Sequence, residues 1–338
     1  MKKKSGKKFF SWGNLNRMLL EKVERSKKIF YTEHKRPQRS IDFNIASQEL
    51  KQNVRTAIVL QGPLMLENDF TLETVRIYKK NFKDSEIIVS TWTTEDRSVI
   101  EKMQQENITV VLNEKPAYAG ISNINYQIVS SINGIMKAKE LGAQYAIKSR
   151  TDQRIYGVNV MNFFLNLQNT FPLKNNSIQK ERLIIPNMNT FLYRMYGVSD
   201  MTMFGNIDDM ILYWNPELDT RLPQPYDPNR KVTVDDFAHY RACEIYLCTE
   251  FMKKIGREPK WSIADSWKTF AALFCVVDHT SIDIFWPKYT RYVEFRNLYY
   301  GSSHTLQVLK FSDWLSFYND SYQLPDEKIR EYGEGHPF

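Results

Sequence analysis

Cysteine and histidine are scarce in this chain, at three and five among 338 residues. Cys243, Cys248 and Cys275 share no CxxC spacing and have no partnering histidine motif. That pattern excludes a zinc ribbon, a redox dithiol and a disulfide framework, and leaves small buried apolar residues in a reducing compartment. Glycine-rich phosphate loops are missing too: there is neither a GxGxxG nor a GxxxxGK[ST], so no dinucleotide fingerprint and no P-loop. The Gly-rich, Arg-Leu-containing opening of a sugar-nucleotide pyrophosphorylase is also absent. No stretch approaches the ~20 apolar residues of a membrane span. No apolar core follows the N-terminal lysines, as a secretory signal would need. The expectation is a cytoplasmic protein, soluble or peripheral on the inner face of the membrane.

The net charge of +7 is unevenly placed. Residues 1–40 carry 13 Lys/Arg against 3 Asp/Glu, whereas the rest carries 33 basic and 36 acidic residues. A slightly acidic body argues against a nucleic-acid groove. The basic segment, residues 1–45, reads as an amphipathic N-terminal extension. Within residues 1–30, Phe9, Phe10, Trp12, Leu15, Met18, Leu19 and Val23 recur largely at helical spacing among lysines. Such a segment can lie on an anionic membrane surface, or form a solvated basic tail or a helix docked on its own domain.

Hydrophobic content of 42% supports a core, and 14% aromatic suits both core packing and sugar-binding surfaces. Three apolar runs end in polar residues: AIVLQGPL (57–64), EIIVSTW (86–92) and YAIKSRTDQR (145–154). Helix-like sequence lies between them: 71–82 with Thr71 as N-cap, 95–106, and 122–141 closed by Gly142. A further strand is expected at 108–114. This alternation predicts an α/β domain, a Rossmann-type, mostly parallel sheet flanked by helices over 46–338. Residues 55–155 form a nucleotide-binding half and 156–338 an acceptor half. In the second half a strand is expected near 181–187, a strand or turn leading into a helix at 197–214, one helix over 237–256, and late strands within 270–286.

Ligands of such sheets sit beyond the carboxyl ends of the strands. There the chain places Gln61, Gly62 and Pro63, then Ser90, Thr91 and Trp92, then Arg150, Thr151 and Asp152. Amide, hydroxyl, aromatic, guanidinium and carboxylate groups together suit a nucleotide linked to a sugar. Lys148, Arg150 and Asp152 alternate along a strand end and would project together. Two cations there can neutralise a pyrophosphate, with Arg154 adding another just past the tip; a surface ion-pair network is the other reading. Asn123 is a donor-binding residue or a helix N-cap, and Asn125 and Gln127 either meet sugar hydroxyls or face solvent.

AIVLQGPL, the TLETVRIYKKNF helix, EIIVSTW, the NINYQIVSSINGIMKAKELGAQYAIKSRTDQRI block and SDMTMFG, in that order, resemble the WavE family of bacterial lipopolysaccharide-synthesis proteins. The resemblance covers roughly 55–250. It implies an A-type (GT-A) glycosyltransferase fold that uses a nucleotide-sugar donor to extend a glycan or lipid-linked glycan of lipopolysaccharide or capsule. It also implies that Gln61 and Gly62 contact the nucleotide, and that Thr151-Asp152-Gln153 stands where that fold has a metal-binding Asp-x-Asp. Only one aspartate is present. Either Asp152 anchors Mg²⁺ or Mn²⁺ through few ligands, or the arginines stabilise the departing nucleotide without a metal.

Inverting transfer needs a general base for the acceptor hydroxyl. Asp200, Asp208, Asp209, Asp235, Asp236 and Glu244 are candidates. Glu244, in the helix after the Pro-rich loop, is favoured as the base, with Asp200 orienting the acceptor. His279 and His304 are read as structural. A phospho-alditol or nucleotidyl transferase on the same fold, and a non-catalytic glycan-binding protein, are the alternatives.

Overall fold

The computed structural model describes residues 12–27, 34–45, 53–174, 178–223, 233–287 and 307–322. Phe9, Phe10, His304 and most of the Pro-rich loop lie outside them. The chain divides into two compact units, Met1–Pro37 and Gln38–Phe338. The first contains α1 (Trp12–Glu24). Met18, Leu19 and Val23 are 62%, 54% and 40% exposed on it, while Glu21 reaches Arg17 at 3.6 Å and Arg25 at 4.0 Å.

The second unit begins as three β-α steps: β1 (Thr56–Gln61), α2 (Phe70–Asn81), β2 (Ser85–Trp92), α3 (Arg97–Gln105), β3 (Thr109–Asn113), α4 (Ile124–Glu140) and β4 (Tyr145–Arg150). There follow β5 (Arg154–Ile155), α5 (Val160–Thr170), β6 (Leu183–Pro186), β7 (Met203–Asn206) and α6 (Ile207–Trp214). The last elements are α7 (Val234–Tyr240), α8 (Cys243–Lys254), α9 (Ile263–Leu273), β8 (Phe274–Val277), β9 (Ile284–Phe285) and α10 (Phe311–Tyr318). Seven strands form one sheet in the order β3-β2-β1-β4-β7-β6-β8. Only β7 runs against its neighbours, so the fold is α/β with a mostly parallel sheet, as the alternation of apolar runs implied. Every residue of β1 is buried, the signature of a strand covered on both faces.

The two faces carry different helices. Gln61 is in register with Ser90 and with Arg150, so these side chains share a face. α4 covers that face: Ser130 Oγ donates to Gln61 Oε1 at 2.8 Å, and Gly134 lies on Val59 and Ser90, leaving no space for a side chain. α6 and α8 continue the same layer. α2 lies on the opposite face, where Thr71 and Tyr78 reach the residues following β4.

Two expectations are corrected. Thr71 is not an N-cap, because α2 starts at Phe70 and the cap position is Asp69 in the left-handed region. Nor is 237–256 one helix. Arg241, at φ +53°, separates α7 from α8. The Arg221 guanidinium holds the carbonyls of Tyr240 at 2.8 Å and Arg241 at 2.9 Å, so those acceptors are satisfied from outside the helix and the chain can turn. Glu244 therefore sits in the first turn of α8.

Candidate functional site

The carboxyl ends of β1, β2 and β4 are fastened to one another by backbone and hydroxyl groups. Gly62 N–H donates to Ser90 O and Thr151 N–H to Gln61 O, both at 3.1 Å. Thr151 Oγ1 donates to Pro63 O at 2.5 Å, and Thr71 Oγ1 donates to Thr151 O at 2.9 Å. Gly62 has φ +111°, and a Cβ there would come within 3.3 Å of Thr151 Oγ1, so glycine alone suits this bend. Glu95 closes the other side, accepting from Leu64 N–H at 3.2 Å and Thr91 Oγ1 at 3.1 Å. The Gln61-Gly62-Pro63 bend and the Arg150-Thr151-Asp152 tip are thus one rigid edge.

On that edge Arg150 and Asp152 form a bidentate pair, Nε to Oδ1 at 2.8 Å and Nη2 to Oδ2 at 2.9 Å. The guanidinium carbon lies 5.3 Å from the Trp286 ring centroid. Lys148, on the same face two residues earlier, is fully buried. Its ammonium donates to the carbonyl of Asp200 and lies 4.0 Å from the Trp214 ring centroid. Its pKa is pushed down to about 7, chiefly by burial and also by the charge of Arg150, against the pull of Asp200 and Asp152.

Arg154 lies elsewhere, contrary to the expectation of a further phosphate-binding cation. It is 1% exposed on the α2 side, where Nε donates to Thr74 Oγ1 at 2.9 Å and Nη2 to Phe70 O at 3.0 Å. Nη1 reaches Gln38 O at 2.8 Å and Tyr156 Oη at 2.9 Å. The turn at 151–153 resets the strand alternation, so Arg154 does not follow Arg150 and Asp152. Its guanidinium fastens the start of the second unit to the domain.

Beside Lys148, Asp200 and Glu244 are brought together at 4% and 7% exposure. The Cys243 thiol donates to Glu244 Oε2 at 3.0 Å, and burial together with the Asp200 charge pushes that thiol's pKa up. Asn189 Nδ2 donates to Glu244 Oε1, and Arg194 Nη1 lies 3.7 Å from the same oxygen. Burial first and Asp200 second hold the Glu244 pKa above the usual carboxylate range, with Arg194 opposing them. A carboxyl so raised is suited to general-base work near neutral pH. Arg194, Asn189 and Trp286 were not legible as site residues, because each acquires its place through a partner distant in sequence.

The other candidate acids are engaged elsewhere. Asp208 pairs with Lys139 at 2.7 Å and Lys180 at 2.5 Å, and Asp209 accepts the Lys180 and Glu181 amides. Both start α6, after the reversed strand β7, at the amino end of β4 and so away from the donor edge. Asp236 completes a capping box with Thr233, and Asp235 faces solvent beside His239. Asn125 is structural: it exchanges two hydrogen bonds with the Asp219 backbone, at 2.7 and 2.9 Å. Asn123 is exposed at the start of α4 and makes no side-chain capping bond. Gln127 is half-buried in the same helix.

Among the described residues no three His, Cys, Asp or Glu side chains are grouped to hold a metal ion. Asp152, the expected anchor, has both oxygens on Arg150. A divalent ion would have to break that pair and bind beside the displaced guanidinium. This donor set does not fit the metal.

No curated protein matches the sequence. Of solved structures, the chain is similar to mouse xyloside xylosyltransferase 1 in its apo form, at 11% identity and a TM-score of 0.33, covering 67% of this chain and 86% of that one. It is also similar to mannose-1-phosphate geranyltransferase from Thermus thermophilus, at 11% identity and a TM-score of 0.24, covering 40% and 44%. A family model described as WavE lipopolysaccharide synthesis matches residues 56–330.

Proposed function

The chain belongs to the WavE lipopolysaccharide-synthesis family, and from that premise we propose that it is a GT-A-type glycosyltransferase. It moves a sugar from a nucleotide-sugar donor to a lipopolysaccharide or capsular precursor. The observation that carries this reading is the joined edge of Gln61-Gly62-Pro63 and Arg150-Thr151-Asp152, with buried Asp200 on Lys148 and buried Glu244 beside Asp200.

In this mechanism the bend at Gly62 lets the nucleotide approach the backbone, with Thr91 at the edge of its pocket. Arg150 meets the diphosphate, where negative charge develops as the bond between the anomeric carbon and the phosphate oxygen breaks. Glu244 takes the proton of the acceptor hydroxyl while that oxygen bonds to the anomeric carbon, and Asp200 orients the acceptor. Nucleoside diphosphate leaves. Residues 1–30 place the enzyme on the anionic inner face of the cytoplasmic membrane, where a lipid-linked acceptor would be met. No helix among the described residues is long and apolar enough to cross a membrane.

A thermal-shift panel of UDP-, GDP-, CMP- and dTDP-sugars, followed by assay of the released product, tests the reading. Stabilisation by one donor class with release of nucleoside diphosphate is expected. Release of nucleoside monophosphate from a nucleoside diphosphate-sugar would instead assign transfer of a phosphorylated sugar or alditol. Unchanged donor turnover in Glu244→Gln and Asp152→Asn would remove the catalytic assignment.

A further inference from the structure

We propose that Arg150 takes the place of a divalent cation at the donor diphosphate, so that the donor binds without metal. This rests on the glycosyltransferase reading and specifies how that site recognises its ligand. Three observations carry it.

The first is the state of the single acid. In a three-residue tip, Asp152 spends both oxygens on the Nε/Nη2 edge of Arg150 at 2.8 and 2.9 Å. A carboxylate used this way fixes the plane of a guanidinium, and a fixed guanidinium presents its N–H groups to phosphate oxygens in a set direction. Trp286, 5.3 Å from the guanidinium carbon, limits the same group on one face. Asp152 is thus a positioning residue for Arg150.

The second is the low exposure of the ion pair. The Arg150 and Asp152 side chains are only 19% and 16% exposed, so solvent screens their surroundings poorly. Lys148 is wholly buried, and its ammonium is disfavoured first by burial and then by repulsion from Arg150. A dication bound at Asp152 would have to displace the Arg150 guanidinium and then face it at short range, whereas a diphosphate is attracted to that guanidinium.

The third is placement. Arg150 is the register partner of Gln61, and Thr151 N–H is bonded to Gln61 O at 3.1 Å. The guanidinium therefore leaves the sheet beside the Gly62 bend, where backbone can approach a nucleotide. Lys148 lies behind this edge, fully buried against the Asp200 carbonyl and the Trp214 ring.

The test is calorimetric titration of the full chain, stripped with EDTA, with UDP, GDP, CMP and dTDP, repeated with added Mn²⁺ or Mg²⁺. One of the nucleoside diphosphates, and not the monophosphate CMP, should bind stripped protein with an affinity within about threefold of that with metal. Arg150→Met should weaken that binding by about ten- to a hundredfold, the range of a lost charge-assisted contact, and Arg150→Lys should recover only part of it. Asp152→Asn should weaken it less than Arg150→Met and leave it indifferent to metal. Thermal melts of each variant check folding, and Arg150→Lys carries the comparison should Arg150→Met not fold. Binding seen only with Mn²⁺ or Mg²⁺, and lost in Asp152→Asn, would overturn the proposal while leaving the glycosyltransferase reading intact. Absence of nucleotide binding in both conditions would overturn both.

Discussion

Thr151 Oγ1 donates to the carbonyl of Pro63 at 2.5 Å, joining the tip of β4 to the bend after β1 across 88 positions of sequence. The Thr151 side chain is 1% exposed, and its backbone carbonyl accepts from Thr71 at 2.9 Å. Thr151→Val keeps the shape and deletes the donor, removing the hydrogen bond to the Pro63 carbonyl. The expected cost is about 1–2 kcal/mol in chemical denaturation, with nucleotide affinity lowered more than folding alone explains. Gly62→Ala, at φ +111°, should cost more than about 1 kcal/mol through backbone strain. Unaltered denaturation midpoints in both variants would show that the edge is not braced here.

The Glu244 carboxyl is raised by burial and by Asp200, and held back by Arg194. A general base must be ionised, so activity should fall on acidification at a pH above the ordinary carboxylate range. Arg194→Gln removes the opposing cation and should move the acidic limb of kcat/KM to still higher pH. A limb that stays in place would separate Arg194 from the reacting acid.

The first half of the domain was readable because its determinants are local. Apolar runs bounded by polar tips gave β1, β2 and β4, and the stops at Gly142 and Gly256 coincide with residues at φ +86° and +75°. What escaped depends on distant partners. The break before Glu244 is enforced by Arg221, some twenty residues earlier. Asn125 is consumed by Asp219, 94 positions away. Arg154 changed faces because strand alternation holds only while the strand continues, and β4 ends at Arg150.

Arg154 gives a prediction separating a structural guanidinium from a ligand-binding one. Its hydrogen bonds go to Thr74, Phe70, Gln38 and Tyr156. Arg154→Met would leave buried acceptors unpaired and should destabilise the domain by about 2 kcal/mol or more. Nucleotide affinity per folded molecule should not change. A selective loss of affinity with an unchanged melting temperature would return Arg154 to the donor site.

Lys148 is protonated in the unfolded chain up to about pH 10.5, while its folded pKa is lowered to about 7. Below pH 7 both states carry the proton, and burying the charge costs the folded state its full penalty. Between pH 7 and 10.5 the unfolded state binds more protons than the folded one, so stability should rise with pH. Lys148→Met should lack this increment. Parallel wild-type and variant stability curves between pH 7 and 10 would mean that the ammonium is not buried as described.

Residues 1–30 carry the last prediction. In α1 the apolar Met18, Leu19 and Val23 are exposed beside Arg17, Lys22 and Arg25, an arrangement suited to shallow insertion with flanking basic side chains at the headgroups. Each basic residue near an anionic leaflet contributes about 1 kcal/mol, and salt screens the contribution. The full chain should sediment with phosphatidylglycerol vesicles at low salt and be released as salt rises, whereas phosphatidylcholine vesicles should not retain it. Deletion of residues 1–30 should abolish sedimentation and spare hydrolysis of a soluble donor, since the second unit begins at Gln38. Met18→Gln with Leu19→Gln should weaken binding at unchanged net charge, which distinguishes insertion from charge alone. Equal partitioning of truncated and full-length protein would end the anchoring proposal and leave the donor site untouched.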